Sequence, residues 1–280
     1  MKQLLNIINR TQQLLFVVLA FYSSLISAHS DDKTINQIRY LGNEGVLIVS
    51  EKRKILIDPF FHNSYGAYTL VPENIRQSIF SGKAPYDNID LLLISHAHGD
   101  HFDAGDAVSF LSTHKKAQII APQQAIDAIL KIDGASNFSN RMNAVNLKLS
   151  DNEKIVQFNN ITVEAIRIPH AGWPGRANIE NIVYRITFKN KTTVMHFGDA
   201  DPNRLHFNKH TKLWQQNTTD VALPPYWFFG SNDGNFILEQ MIHSKHSIGI
   251  HVPTNVPEAL KNSGKDFFSK PGEIRKIKKD

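Results

Sequence analysis

Residues 94–103 read ISHAHGDHFD and set three histidines and two aspartates within eight positions, directly after the apolar triplet Leu91, Leu92 and Leu93. An apolar run bounded by polar residues, as in 90–95 (DLLLIS), is the signature of a strand buried on both faces. Beyond the histidines, Val108, Phe110 and Leu111 recur at helical spacing, with Asp103 as a candidate N-cap. The cluster therefore occupies a strand-to-helix loop, the kind of segment that carries sites in layered α/β architectures.

Working outward, NQIRYLG, GVLIVS and KILIDPF read as short strands broken by glycine, charged turns and Pro59, an antiparallel start. On the C-terminal side come ITVEAIRI, NIVYRITF, TTVMHFGD, DVALPP and SIGIHV, with helical stretches such as APQQAIDAILKI and NFILEQMIHS between some of them. No repeat, heptad or low-complexity tract interrupts the pattern, and two sheets with helices outside fit this order. Three of the strands run into chemically competent residues, His170, Asp199 and His251, so these could converge with the cluster on one sheet edge.

His96 and His98 stand two apart in irregular chain, close enough for both imidazoles to hold one cation, while Asp100 and His101 follow closely enough to hold a second. Zinc takes such N and O ligands at ~2.0–2.2 Å and keeps one position open if it is to do chemistry. His170, Asp199 and His251 are the candidates to complete the two sites, Asp199 as a carboxylate bridging both cations. An H-x-H-x-D-H pattern would arise by chance in roughly one chain of this composition in a thousand. Taken singly, His170 and His251 would read as structural histidines, but their strand-end positions reverse that. His29, His62, His114, His196, His206, His210, His243 and His246 lack such support and read as structural.

SHAHGDH, IPHAG, HFGDAD and IGIHVP, in this order, resemble the metal-binding motifs of the metallo-β-lactamase superfamily over about residues 37–257. The resemblance implies an α+β, four-layer αββα sandwich with the metals at one edge of the two sheets. It implies His96, His98 and His170 for the first metal, Asp100, His101 and His251 for the second, and Asp199 as the bridge. ILIDPF resembles the motif that sets Asp58 behind the ligands, orienting a ligand histidine; a turn aspartate before Pro59 is the plainer reading. The class B β-lactamases of the superfamily lack the bridging aspartate, which directs the reading to the general metal-dependent hydrolase branch. YLGNEGVLIVSEKRKILIDPF is similar to the part of that branch holding ascorbate-phosphate lactonase-like enzymes, which usually have histidine where Asn43 stands. The substrate is thereby left open. Glyoxalase-II-like enzymes share the ligands but add a helical substrate domain for which the chain after Pro257 is short.

The expected function is metal-dependent hydrolysis of a small ester, lactone or phosphate ester. Two divalent cations, zinc first, with iron or manganese also suited to the ligands, would share a water and leave a hydroxide between them. Asp100 and Asp199 are the expected catalytic carboxylates, with Asp100 accepting or relaying a proton. Trp173, Tyr226, Trp227 and Phe228, in the aromatic loops AGWPGR and PPYWFFGSNDG, are the candidate substrate wall; Arg176 is a weaker candidate for an anionic group. The alternatives are a phosphodiesterase or nuclease, and a non-catalytic secreted metal-binding protein, whose mark would be a broken ligand set. All seven ligand positions are filled.

Composition bounds the rest. A chain of 280 residues, 41% hydrophobic, can bury a sizeable core, and it contains no cysteine, so neither disulfide nor thiolate ligand enters. Residues 1–28, with Lys2, Arg10, an apolar centre from Leu14 and small residues ending at Ala28, have the layout of a signal peptide. The apolar part is shorter than a bilayer span. The expected organisation is a 1–28 signal peptide and a 29–280 hydrolase domain, exported to the periplasm or secreted, with no stable membrane anchor after cleavage. Removing Lys2 and Arg10 with that segment takes the net charge from +5 to +3. Although the sequence pI is about 9.2, much of the basic excess sits in the tail KPGEIRKIKKD, read as a solvated terminus. A small-molecule substrate rather than nucleic acid is the expected partner; oligomeric state is not readable.

Overall fold

The computed structural model describes residues 36–278, except residue 217; the expected signal segment lies outside the described residues. Asn36–Asp280 clusters as one compact unit. Its strands fall into two seven-stranded sheets. The first comprises β1 (Gln37–Gly42), β2 (Gly45–Ser50), β3 (Arg53–Ile57), β4 (Leu91–Leu93), β5 (Gln118–Pro122), β6 (Met142–Val145) and the late strand β14 (Ile274–Lys276), in the order β14-β1-β2-β3-β4-β5-β6. The second comprises β7 (Lys154–Phe158), β8 (Ile161–Arg167), β9 (Ile182–Thr187), β10 (Thr193–His196), β11 (Thr219–Leu223), β12 (Ser244–Gly249) and β13 (Asp266–Phe267), in the order β13-β12-β11-β10-β9-β8-β7.

Each sheet is antiparallel at its start and parallel thereafter. The period-2 alternation of side chains divides the apolar residues among three cores. Leu91 and Leu93 face the seam between the sheets, where they meet Ile38, Tyr184 and Val194. Leu92 faces outward, into a core completed by Ile79, Phe110 and Ile126 from the helices α1 (Glu73–Phe80), α2 (Ala104–Thr113) and α3 (Gln123–Leu130), respectively. On the far side Met195 and Ala222 pack against Phe207, Trp214 and Ile237, from the helical segments covering the second sheet. Two sheets with a helical layer on each outer face make the four-layer αββα sandwich. Asp103 caps α2, its carboxylate accepting from Asp106 N–H.

The tail differs from its expected role as a solvated terminus. Ile274–Lys276 pairs antiparallel with β1, Arg275 holds Asp266, and Ile277 is buried. Among the described residues no helix is long and apolar enough to cross a membrane.

Topology sets where the chemistry falls. Ile57 pairs in parallel with Leu93, so β3 and β4 end together, delivering Asp58 and the 94–103 loop to one edge. In the second sheet β10, β11 and β12 are mutually parallel, and β8 runs with β10 across the antiparallel β9, so His170, Asp199 and His251 leave from the matching edge. Ile182 N–H donates to Ser95 O at 2.9 Å and Tyr184 O–H to Ile94 O at 2.8 Å, stapling the two edges. The β1–β2 hairpin tip reaches the same edge, where His251 N–H donates to Asn43 O at 3.1 Å.

Candidate metal centre

Seven side chains meet at this edge in two groups that share Asp199. In the first, His98 Nδ1 lies 3.0 Å from His96 Nε2 and 3.2 Å from His170 Nε2. Asp199 Oδ2 stands 3.2 Å from His170 Nε2 and 3.9 Å from His96 Nε2. In the second, Asp100 Oδ2 lies 3.6 Å from His101 Nε2 and 3.5 Å from His251 Nε2, while Asp199 Oδ1 lies 3.3 Å and 3.1 Å from the same two nitrogens. One Asp199 oxygen thus faces each group. All but the half-buried His98 are buried.

The imidazole tautomers follow from what sits behind them. His101 Nδ1–H donates to Asp58 Oδ2 at 3.0 Å, and Asp58 is itself held by Ser95 N–H at 2.8 Å and by the Ser95 hydroxyl. With its proton given to Asp58, Ser95 Oγ accepts from His96 Nδ1, 3.0 Å away. His170 Nδ1–H donates to Ala171 O at 2.7 Å. Each of these three rings thereby turns its Nε2 into the site. Lone pairs crowded to about 3 Å repel unless a cation lies among them, and ligand bonds of ~2.0–2.1 Å at tetrahedral angles put donor atoms about 3.3 Å apart. In the second group His101 Nε2, His251 Nε2 and Asp199 Oδ1 are buried without a directed hydrogen bond. The residues present fit two divalent cations.

Electrostatics carry the same message. Burial, reinforced by the neighbouring imidazoles, holds His96 well below the usual histidine range and lowers His98. Burial would also lower His101 and His251, but Asp199 and the carboxylates around it prevail, raising His101 well above its usual value and His251 to about 9. Burial opposes ionisation of Asp199 and Asp100, yet the imidazoles they face lower both. Without metal, protons on His101 and His251 thus supply the positive charge that the carboxylates demand.

The backbone is bent to serve the site. Asn43, Asp58 and His251 all have positive φ, at 45°, 44° and 56°. Such conformations are costly for residues other than glycine and persist where surrounding structure enforces them. At Gly198 (φ 52°) a Cβ would lie 2.4 Å from Asn181 Oδ1, which accepts from Asp199 N–H at 2.9 Å. Only glycine lets the chain turn there and present Asp199.

Two buried residues escaped the sequence reading. His196, read as structural, lies directly beneath the centre: its Nε2–H donates to Glu44 O at 3.0 Å and its Nδ1 accepts from Gly198 N–H at 3.2 Å, tying the first sheet to the turn before Asp199. Glu44 Oε2 is 3.8 Å from both His101 Nδ1 and His196 Nε2, and neither carboxylate oxygen has a hydrogen-bond partner. Burial pushes Glu44 well above the usual carboxylate range against the pull of His101. An acid at the tip of the hairpin, beside Asn43 and followed by the apolar run Val46–Val49, was the available signal. Asn43 Nδ2–H donates to the Asp100 carbonyl at 2.9 Å, bracing the histidine loop.

A cavity of about 340 Å³ opens above Asp199 and His251, walled by Tyr68, Ala171, Gly172, Arg176 and Trp227. Tyr68 and Trp227 approach the His251 ring at 4.2 Å and 5.2 Å between centroids. Of the expected aromatic wall, the structure brings Trp227 to this cavity and places the other three residues elsewhere. Phe228 is fully buried in the outer core against Phe197 and Phe207, because the short 3₁₀ turn Tyr226–Phe228 points successive rings in different directions. Tyr226 lines a neighbouring apolar cavity of about 360 Å³, which shares Trp227. Trp173 is 38% exposed and packs edge-on against His206 rather than over the centre. Tyr68, in a loop without periodicity, was not anticipated.

A family profile described as Beta-lactamase superfamily domain matches residues 37–226. A UPF0173 metal-dependent hydrolase of Thermus thermophilus is 33% identical over 101 residues, 36% of this chain and 37% of that protein. The aligned part is thus little more than a third of the Thermus relative's length. A UPF0173 metal-dependent hydrolase of Pyrococcus furiosus is 26% identical over 249 residues, 86% of this chain and 94% of that one. The solved structure of Igni18, a metallo hydrolase from Ignicoccus hospitalis, superposes with a TM-score of 0.59 at 16% identity, covering 88% of this chain and 100% of that one, a likeness of fold. The chain belongs to the β-lactamase superfamily.

Proposed function

We propose that this member of the β-lactamase superfamily is a metal-dependent hydrolase of a small ester, lactone or phosphate ester, working at a two-cation centre. The observation that carries the reading is the division of the Asp199 oxygens between two donor groups, Oδ2 towards His96, His98 and His170, Oδ1 towards His101 and His251. Asp100 completes the second group. When bound, divalent cations, zinc first among those the ligands suit, polarise the scissile C=O or P=O and make water acidic enough to attack at neutral pH.

The chain supplies the rest. Asp58 holds the His101 ring through Nδ1, and Ser95 holds His96, so the donor atoms need little reorganisation on loading. Asn43 braces Asp100 through its carbonyl at 2.9 Å and, more loosely, through carboxylate Oδ2 at 3.5 Å, and that carboxylate orients the attacking water and accepts its proton. Tyr68 and Trp227 shield the floor from bulk water and offer apolar faces to the substrate. A mouth of about 340 Å³ suits a small molecule better than a polynucleotide. Export to the periplasm or medium remains part of the proposal on the strength of residues 1–28 alone, and N-terminal sequencing of the native protein tests it: a start near His29 supports export, an intact Met1 on a cytoplasmic protein refutes it.

The functional test is a panel of lactones, carboxylic esters, phosphate esters and β-lactams offered to metal-loaded protein and to its Asp100→Asn variant. Turnover of one class that falls by roughly 10²–10⁴-fold in the variant, with folded content retained, supports the reading. Equal rates in the two proteins would remove the centre from the chemistry.

A further inference from the structure

We infer that the substrate carries a compact anionic group away from the bond that is cut, and that Arg176 receives it; the inference rests on the hydrolase reading and narrows it to anionic substrates. Arg176 stands in the wall of the cavity whose floor is Asp199 and His251. Among the described residues its guanidinium has neither an ion-pair nor a hydrogen-bond partner, whereas Arg167 and Arg185, in the strands β8 and β9 that flank its loop, are committed to Glu180 and Glu164. The side chain is nevertheless directed: its Cγ, Cδ and Nε atoms lie over Gly172, within 3.5–3.8 Å of where a Cβ would stand, and Gly172 has φ 89°.

The loop that carries Arg176 is fastened to the centre at both ends. At its start Ala171 N–H donates to Asp199 O at 2.7 Å, and His170 bridges to Ala200. At its end Asn181 Oδ1 accepts from Asp199 N–H at 2.9 Å and Asn181 Nδ2–H donates to Phe197 O at 3.1 Å. Within it, Ala177 N–H donates to Pro174 O and Ile179 N–H to Arg176 O, each at 3.1 Å. A cation on a loop clamped on either side of Asp199 has a defined place relative to the reacting bond.

The chemistry of the cavity follows. Its floor takes an ester carbonyl or phosphoryl group, Tyr68 and Trp227 give it apolar flanks, and Arg176 offers forked donors matched to a group with two or more anionic oxygens. A carboxylate and a phosphate share that chemistry.

The test compares 4-nitrophenyl butyrate with two esters of similar length ending in a carboxylate (mono-4-nitrophenyl glutarate) or a phosphonate (4-nitrophenyl 4-phosphonobutanoate), on metal-loaded wild type, Arg176→Ala and Arg176→Lys. In wild type kcat/KM for one anionic ester exceeds that for the neutral ester. In Arg176→Ala that ratio falls by roughly tenfold to a hundredfold, chiefly through KM, with partial recovery in Arg176→Lys. The ester that shows the effect separates carboxylate from phosphate recognition. An unchanged ratio in Arg176→Ala overturns the inference. Should no ester be turned over, so that the hydrolase reading itself is in question, calorimetric binding of glutarate and of propylphosphonate decides separately. Weaker binding of either to Arg176→Ala than to wild type upholds the role of Arg176. Equal binding, or none to either protein, overturns it.

Discussion

Asp199 Oδ1 lies 3.1 Å from His251 Nε2, yet neither atom has a directed hydrogen bond. Under the proposed two-cation reading, these two buried polar atoms, facing each other without bonding, are ligands of a common cation. His251 holds that position with φ at 56°, so the contact is reached through a conformation that costs free energy.

Without metal, the same contact makes stability depend on pH. Asp199 and its neighbours raise His251 to about 9, above the ~6.5 of an unfolded histidine. A raised group contributes stability that is fully present below the unfolded value and is lost as pH rises through the folded one. The metal-free chain should therefore lose about 3 kcal/mol between pH 6.5 and 9.5 from this residue, seen as a fall in Tm on the order of 5–10 °C. Added zinc should reverse the trend, because cations displace protons from His101 and His251 and bind more tightly as pH rises. Thermal unfolding at both pH values, with and without zinc, checks this; a metal-free Tm that rises over the interval contradicts it.

Asp58 belongs to neither of the two donor groups that share Asp199, but holds the ring of His101 at 3.0 Å. Asp58→Asn keeps the size while replacing the acceptor that fixes that ring's tautomer. Metal affinity should drop roughly 10–100-fold with the fold retained. Competition for zinc against a chromogenic chelator measures it, and an unchanged affinity would show that Asp58 serves only the turn before Pro59.

Adjacent aromatics should separate binding from folding. Trp227, half-buried in the cavity wall, donates from Nε1 to Ala200 O at 3.2 Å. Trp227→Ala should raise KM several-fold and leave metal content intact. Phe228→Ala opens a hole in the outer core and should cost about 3–5 kcal/mol of stability. Steady-state kinetics beside urea unfolding distinguishes the two, and a Trp227→Ala variant that loses metal would place that ring in the support of His251 instead.

The sandwich and its busy edge were legible because local rules and tertiary needs agree there. Leu91, Leu92 and Leu93 must be buried on both faces, and His96, His98, Asp100 and His101 are contiguous, so one stretch carries both strand and site. His170, Asp199 and His251, weak signals singly, each follow an apolar strand closely enough to be placed at the same edge as that stretch. Other features depend on spatial neighbours that leave no periodic trace. Tyr68 reaches the cavity from a loop with no repeating pattern. Glu44 and His196 matter because two sheets press them together under the centre, across 152 positions of sequence. In β14 the alternation of Ile274 and Lys276 around Arg275 reads as a charged tail, and only pairing with β1 makes it a strand. Which of Tyr226, Trp227 and Phe228 faces the cavity is decided by one 3₁₀ turn, below the grain of composition.

The most direct test is a count of divalent cations per chain, made by elemental analysis on the sample whose ester turnover is measured, for wild type and Asp199→Ala. Active wild type should contain two, lose turnover with them on chelation and regain both on adding zinc, while folded Asp199→Ala holds fewer than two and turns over nothing measurable. Full activity in wild type carrying one ion or none, or an Asp199→Ala variant that keeps two ions and its rate, would contradict a two-cation centre bridged by Asp199.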